Sequence, residues 1–266
     1  MISPDASFSL ESIQRRLKTH TIGSHLLFHA EVDSTNRAAM ALAEGNTAHG
    51  TVVVAEAQTQ GRGRLGRPWL SPSGMNLYFS IVLGRDATLP AITWLPLLAS
   101  LAVLRAVDRV SGLASRLKWP NDVIIDRTHP SRKLAGVLAE ATDHTVVIGV
   151  GVNVNVASDA LPTPLQPIAT SILIETGRWT DRSELLAQIL FETEQLCDPA
   201  IHSLDNGMEE YRKACTTLGK AVQISLTQGS KMEGLAVAIA PDGALCVQKP
   251  DRSIVEIRAG DVVHLH

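Results

Sequence analysis

The run Thr145 to Asn155 reads Thr-Val-Val-Ile-Gly-Val-Gly-Val-Asn-Val-Asn, and no other stretch constrains the fold as tightly. Its first half is apolar at consecutive positions. A strand of that kind must be buried on both faces, so it belongs at the centre of a sheet. Its second half interleaves glycine with valine. Glycine inside a strand marks close approach by a ligand or by another backbone. The pattern therefore predicts a central strand with one stretch of its surface left bare.

Composition agrees with a large core. At 266 residues the chain suits one large domain, or a main domain with a small one. Apolar residues make up 45% and aromatics only 4%, so Val, Leu, Ile and Ala must fill the interior. A net charge of −3 argues against general binding to nucleic acid or membrane surfaces. Cys197, Cys215 and Cys246 are odd in number and far apart, without a C-x-x-C pair. A disulfide framework or zinc site is disfavoured and a reducing, cytoplasmic setting is expected. The N-terminus shows no signal-peptide pattern. The most apolar run, Trp94 to Leu104, is interrupted by Pro96 and too short to span a bilayer.

Periodicity predicts a helix through Leu10, Ile13 and Leu17 after Ser9, then a strand over Leu26 to Val32. Asp33-Ser34-Thr35 offers N-cap chemistry for a helix through Ala43, closed by Gly45. Strands follow over Thr51 to Ala57 and Leu77 to Leu83, then a buried helix from Ile92 to Val110 ending near Gly112. Leu117 to Pro120 and Val123 to Asp126 are short apolar pieces broken by Asn121-Asp122. Lys133 to Glu140 and Thr145 to Asn155 read as a hairpin around Asp143-His144. A Pro-rich loop covers Leu161 to Pro167, and helices follow around Ser183 to Leu196 and Pro199 to Ala214. After Gly219 the pattern turns to short strands, Ala221 to Leu226, Leu235 to Ala240, Leu245 to Gln248 and Ile254 to Ile257, with turns at Pro241-Asp242-Gly243 and Pro250-Asp251. This is a small all-β module that gains from docking on the main domain. The expected division is 1–218 and 219–266.

Between two of the strands lies Gly61-Arg62-Gly63-Arg64-Leu65-Gly66-Arg67. Glycines let the backbone approach a ligand, and successive N–H groups in such a turn form an anion nest. Arginine adds permanent planar charge matched to phosphate or carboxylate. No Asp or Glu occurs from Ala57 to Arg85, so nothing nearby in sequence neutralises the arginines. The loop reads either as a cradle for a compact polyanion or as a solvated basic loop. Lys133 reads as a strand-edge lysine. Lys118 pairs with phosphate or snorkels beside Trp119. Asn121-Asp122 reads as a turn, Ser34 to Asn36 as a helix cap, and Trp69 as core. The histidines are scattered, without a metal constellation.

Four pieces together carry a resemblance: Asp33-Ser34-Thr35-Asn36, Gln58 through Trp69, Lys118-Trp119-Pro120-Asn121-Asp122, and Lys133-Leu134-Ala135-Gly136. In that order and spacing they resemble the biotin protein ligases, also called biotin–[acetyl-CoA-carboxylase] ligases, from about Leu26 onward. The resemblance implies an α+β fold: a mixed sheet with packed helices, the class II synthetase-like biotin/lipoate ligase fold, plus a small C-terminal SH3-like barrel. It implies an enzyme that activates biotin with ATP to biotinyl-5′-AMP and transfers it to a lysine of a biotin carboxyl carrier protein, the acetyl-CoA carboxylase subunit. A lipoate–protein ligase is the related alternative, and a non-catalytic biotin sensor the other. Many bacterial relatives carry an N-terminal DNA-binding domain and act as repressors. Roughly twenty-five residues precede Leu26 here, with room for one helix, so the expectation is a ligase that binds neither DNA nor membrane, as monomer or homodimer.

By the same resemblance Lys133 and Arg64 are catalytic. Ser34, Thr35, Asn36, Gln58, Arg62, Gly63, Arg64, Lys133, Gly136 and Gly151 take biotin. Arg64, Arg67, Trp69, Lys118, Asn121, Asp122 and Asn153 take ATP. Asp122 either helps hold Mg²⁺ or orients the incoming amine.

Overall fold

The computed structural model describes residues 8–44, 49–84, 92–127, 130–197, 204–226 and 230–265. Its elements in chain order are α1 (Leu10–Gln14), β1 (Leu26–Val32), α2 (Thr35–Glu44), β2 (Val52–Gln58), β3 (Leu77–Gly84), α3 (Leu95–Ser111), β4 (Arg116–Lys118), β5 (Asp122–Ile125), β6 (Arg132–Ala141), β7 (Thr145–Val152), α4 (Ile172–Thr176), α5 (Arg182–Cys197), α6 (Leu204–Ala214), β8 (Ala221–Ser225), β9 (Lys231–Ile239), β10 (Leu245–Gln248), β11 (Ile254–Ile257) and β12 (Asp261–His264).

Seven strands form the main sheet in the order β1-β2-β3-β7-β6-β5-β4. Only β1 and β2 run parallel, so the sheet is mixed. The apolar run that opened the argument is β7, and it lies in the middle of this order. Its two faces meet different partners. Val146, Ile148, Val150 and Val152 join the main core, together with Phe79 and Ile81 of β3 and the buried face of α3. Val147 points the other way, where it packs with Val53 and Val82 against Ala39 of α2. Helix α2 covers only part of that second face. Asn36 in its first turn reaches Gly149, and past it, toward Gly151, the cavity opens.

Local chemistry sets the boundaries. Ser9 caps α1, its hydroxyl accepting from Ser12 N at 3.2 Å. Helix α3 begins at Leu95, three residues later than periodicity implies. Pro96 lies in its first turn, where a missing N–H costs nothing. It ends at Gly112, which takes the left-handed conformation at φ 69°. The pieces flanking Asn121-Asp122 are two paired strands, with Lys118 opposite Asp122. The expected closure of α2 at Gly45, and the start of the last main-domain helix at Pro199, lie outside the described residues.

Five antiparallel strands, in the order β11-β10-β9-β8-β12, form the C-terminal module in the barrel-like arrangement expected. Periodicity marks four of them. It passes over β12, four residues with only Val262 buried, and also the one-turn helix α4. The module's apolar side belongs to the same core cluster as the main sheet. Two tryptophans dock it: Trp94 Nε1 donates to Pro241 O at 2.7 Å, and Trp119 Nε1 to Gly243 O at 3.0 Å.

A buried charge fixes β2 to the helical layer. Arg182, at the start of α5, has no solvent exposure. It donates to both carboxylate oxygens of Glu56 at 2.9 Å, and to Asn76 O at 3.1 Å. Phe8 lies under its guanidinium at 4.1 Å. Removing one partner leaves the other charge uncompensated. Arg182→Met is expected to lower unfolding stability by about 3 kcal/mol, read from the midpoint of urea denaturation.

Candidate active site

The site grows from what the bare stretch of β7 permits. A Cβ added at Gly149 would land on the Asn36 amide, and one at Gly151 would lie 2.5 Å from the Trp69 ring. One at Gly136 on β6 would stand 2.9 Å from Lys133 Nζ. These glycines let side chains from α2, from β6 and from the loop after β2 settle on the sheet around a cavity of about 280 Å³. Ser34, Thr35, Asn36, Gln58, Arg62, Gly63, Arg64, Arg67, Trp69, Asn121, Asp122, Lys133, Gly136, Gly151 and Asn153 all line it. Of the residues picked out by sequence, Lys118 alone does not. It sits one strand away on β4, opposite Asp122.

One end of the cavity carries amide and hydroxyl groups, with the Arg62–Glu140 ion pair beside them. Thr35 N donates to Gln58 Oε1 at 2.9 Å, so glutamine rather than serine satisfies this donor of the first helical turn. Ser80 Oγ donates to Asn36 Oδ1 at 2.6 Å and lies 2.9 Å from Thr35 Oγ1. Asn36 Nδ2 in turn donates to Glu140 at 2.8 Å. The Asp33 carboxyl is held below its usual range, first by the Ser34 N–H and then by Arg37. Asp33 thus serves the helix start, while Thr35 and Asn36 bond across to Gln58, Ser80 and Glu140.

The other end is cationic. Lys133 Nζ lies 2.6 Å from Asp122 Oδ1 and 5.2 Å from the Trp69 ring centre. Arg64 donates to Asn121 Oδ1 at 3.2 Å and to Gly260 O at 3.3 Å. Burial presses the Arg64 guanidinium below its ordinary range, against the opposing pull of Asp261 and Asp122. Burial also lowers Lys118, and Asp122 again opposes it. Trp69 Nε1 is buried with no hydrogen-bond partner. An unsatisfied buried donor costs roughly 1–3 kcal/mol, which a ligand acceptor can recover. An apolar wall of Val156, Leu161, Leu165, Ile168 and Ala169 closes this side. Among the described residues no group of three or more His, Cys, Asp or Glu is placed to hold a metal ion.

The glycine/arginine loop lacks acidic neighbours in sequence but finds them in space. Arg62 pairs with Glu140 at 3.1 Å, and Arg67 pairs with Asp261 of the C-terminal module. Leu65 holds a left-handed backbone at φ 55°, strained for a branched residue. Sequence reasoning missed Ser80, Glu140, Gly260 and Asp261. Only Glu140 carried a signal, as the one acidic residue on its strand.

Residues 28–153 match the biotin/lipoate A/B protein ligase family, and 217–265 match the biotin protein ligase C-terminal domain. The biotin–[acetyl-CoA-carboxylase] ligase of Mycobacterium tuberculosis is 36% identical over 262 residues, 95% of each chain. The chain belongs to the biotin protein ligase family. The bifunctional ligase/repressor BirA of Bacillus spizizenii is 36% identical over 195 residues, 71% of this chain and 59% of that protein, so the match leaves much of that relative's length unpaired. The biotin protein ligase of Aquifex aeolicus, solved in complex with biotin and ATP, superposes with a TM-score of 0.76 at 31% identity, covering 91% of this chain and 99% of that one. The four sequence pieces that carried the resemblance converge on this cavity, Lys118 excepted.

Two carboxylates hold the arginine loop across the cavity. The double variant Glu140→Gln, Asp261→Asn is expected to release it, so that trypsin cleaves after Arg62 and Arg64 severalfold faster than in the parent chain. Unchanged cleavage would show that the two ion pairs do not hold the loop.

Proposed function

We propose that this protein is an ATP-dependent biotin–protein ligase. One observation carries the reading. A single cavity has amide and hydroxyl groups at one end, with the Arg62–Glu140 pair beside them, three cations (Arg64, Arg67 and Lys133) at the other, and a glycine floor between. That layout suits a ligand with a compact polar head, an apolar middle and a carboxylate that must meet a polyphosphate. Biotin has this shape: Ser34, Thr35, Asn36 and Gln58 take its ureido head, and its carboxylate reaches Lys133.

Bringing a carboxylate to the α-phosphate of ATP opposes two negative charges. Lys133, Arg64 and Arg67 supply the counter-charge and hold the partners in line. The carboxylate oxygen attacks phosphorus, the α–β bond breaks, and pyrophosphate leaves. The product is biotinyl-5′-AMP, and a carrier lysine then takes the biotinyl group. Trp69, Asn121 and Asn153 border the nucleotide, and Lys118 supports the charge from behind. The cavity lining offers two carboxylates, Asp122 paired with Lys133 and Asp261 paired with Arg67. That set fits a Mg²⁺ that arrives with nucleotide phosphates rather than a resident ion, because Mg²⁺ takes one or two carboxylates plus phosphate oxygens. Lipoate lacks a ureido head and so offers the amide and hydroxyl groups around Asn36 no polar group to bind.

The proposal extends to a biotin carboxyl carrier protein as acceptor, to residues 1–218 as the catalytic unit with 219–266 as a separate module, and to a cytoplasmic enzyme that does not act on DNA. No described helix is long and apolar enough to cross a membrane.

The test is incubation with biotin, ATP, Mg²⁺ and a carrier domain, followed by intact mass: one biotinyl addition is expected. Lipoyl addition in its place would move the reading to the lipoate branch. Lys133→Ala is expected to slow pyrophosphate release at least about 100-fold, the usual scale for removing one group that stabilises developing charge. A turnover close to the parent's would return Lys133 to the role of a strand-edge residue.

A further inference from the structure

Behind the apolar wall of the cavity lies a junction whose residues take no part in the chemistry above. The paired register of β6 with β7 begins at Ala135. Just before it, Lys133 bonds to the segment 168–170: its N–H donates to Ile168 O at 2.8 Å, and its carbonyl accepts from Thr170 N at 2.9 Å. Ala169 stands opposite Lys133 in a parallel bridge. Ile168 and Ala169 also line the cavity, so the cation and this part of the wall form one body. The segment is pinned by Glu175 of α4, whose side chain is only 8% exposed. One of its oxygens, Oε1, accepts from Thr170 Oγ1 at 2.5 Å and from Arg132 Nη2 at 2.7 Å. We propose that Glu175 is a positioning residue: through Thr170 it fixes Lys133 relative to the amide and hydroxyl end of the cavity, and so sets the length of acid that is activated. The assignment rests on the ligase reading.

Thr170 is the hub of this arrangement. It has no solvent exposure, and its N–H, carbonyl and hydroxyl are each bonded. The carbonyl accepts from Asn153 Nδ2 at 3.0 Å, so a shift of Thr170 moves Lys133 on one side and Asn153 on the other. A carboxylate makes a firm pin, because hydrogen bonds to a charged acceptor are stronger than neutral ones. Arg132 balances its charge, which lets it stay buried. The helix that carries it is tied at both ends. Ser171 Oγ accepts from Ile174 N at 3.0 Å and donates to Val156 O at 2.6 Å, and Gly177, left-handed at φ 68°, returns its N–H to Leu173 O. Glu175 is therefore a fixed point although α4 is short.

The two ends of the ligand are gripped by different elements. Thr35 and Asn36 stand on α2 and Ser80 on β3, while Lys133 stands on β6 and is steadied by the segment 168–170. The chain of the acid spans the gap between them. A gap of fixed length selects one chain, and a single methylene in an apolar slot is worth roughly tenfold or more in discrimination. A gap that slackens lets Lys133 follow a shorter acid. Loosening the pin therefore costs selectivity as well as rate.

The experiment uses the full chain and measures adenylate formation with biotin and with its analogue one methylene shorter, at saturating ATP and Mg²⁺. The urea midpoint is recorded alongside. Thr170→Val removes the hydroxyl bond to Glu175, Thr170→Ser keeps it, and Glu175→Ala removes both bonds of the pin. Thr170→Val and Glu175→Ala are expected to lower kcat for biotin severalfold and to shrink the preference for biotin over the shorter acid severalfold. Thr170→Ser is expected to stay near the parent in both. Where Glu175→Ala fails to fold, the comparison of Thr170→Val with Thr170→Ser decides. Equal losses for the two acids overturn the proposal, since general loosening does not change the preference. Parent-like rates and preference in folded variants overturn it as well, and leave the ligase reading standing. A parent chain that forms no biotinyl-AMP overturns the ligase reading and the proposal with it.

Discussion

Strand β7 serves two demands that conflict. One face must be as apolar as any core strand, because α3 and its neighbours pack on it. The other must be filled by α2 near Val147 and kept empty beyond it. The chain meets this by alternating valine or isoleucine with glycine: the branched residues point to the core, and the missing side chains at Gly149 and Gly151 leave room for Asn36 and Trp69. Every later feature of the site depends on that clearance. Without it the amide of Asn36 could not lie under Ser80, and the indole of Trp69 could not lie against the sheet.

Much of this was legible in the sequence because it is local. The unbroken apolar run placed β7 at the centre, and its glycines announced a close approach. The Gly-Arg alternation marked the loop, and Gly112 and Pro96 marked the two ends of α3. The predicted residues lining the cavity were reachable since each belongs to a short motif whose members sit within a few positions of one another. Lys118 shows the limit of that reasoning. It stands in the same motif as Asn121 and Asp122, but the turn between β4 and β5 carries it off the cavity wall.

What stayed hidden is long-range pairing. Glu140 lies 78 positions from Arg62, and Asp261 lies 194 from Arg67. Neither separation leaves a trace in periodicity or composition. The absence of acidic residues near the loop therefore gave a half-true picture: the arginines are unneutralised along the chain and partly neutralised in space. Ser80 was hidden for a related reason. A lone serine inside an apolar strand looks like a tolerated small residue until the sheet places it beneath Thr35 and Asn36. Strand β12 escaped because four residues with one buried valine carry too little pattern to detect.

That overlooked strand has a consequence for how the protein is made. Gly260 O and Asp261 hold Arg64 and Arg67, so the cationic end of the cavity is finished by residues synthesised some two hundred positions after the loop they steady. During translation the main sheet can assemble and the glycine floor can form while the arginine loop still lacks its distant partners. A ribosome-bound chain would thus present the pocket before the fastening. Completion of the site is coupled to synthesis through Asp261, and a chain stopped short of it would fold most of its core yet leave Arg67 without that partner.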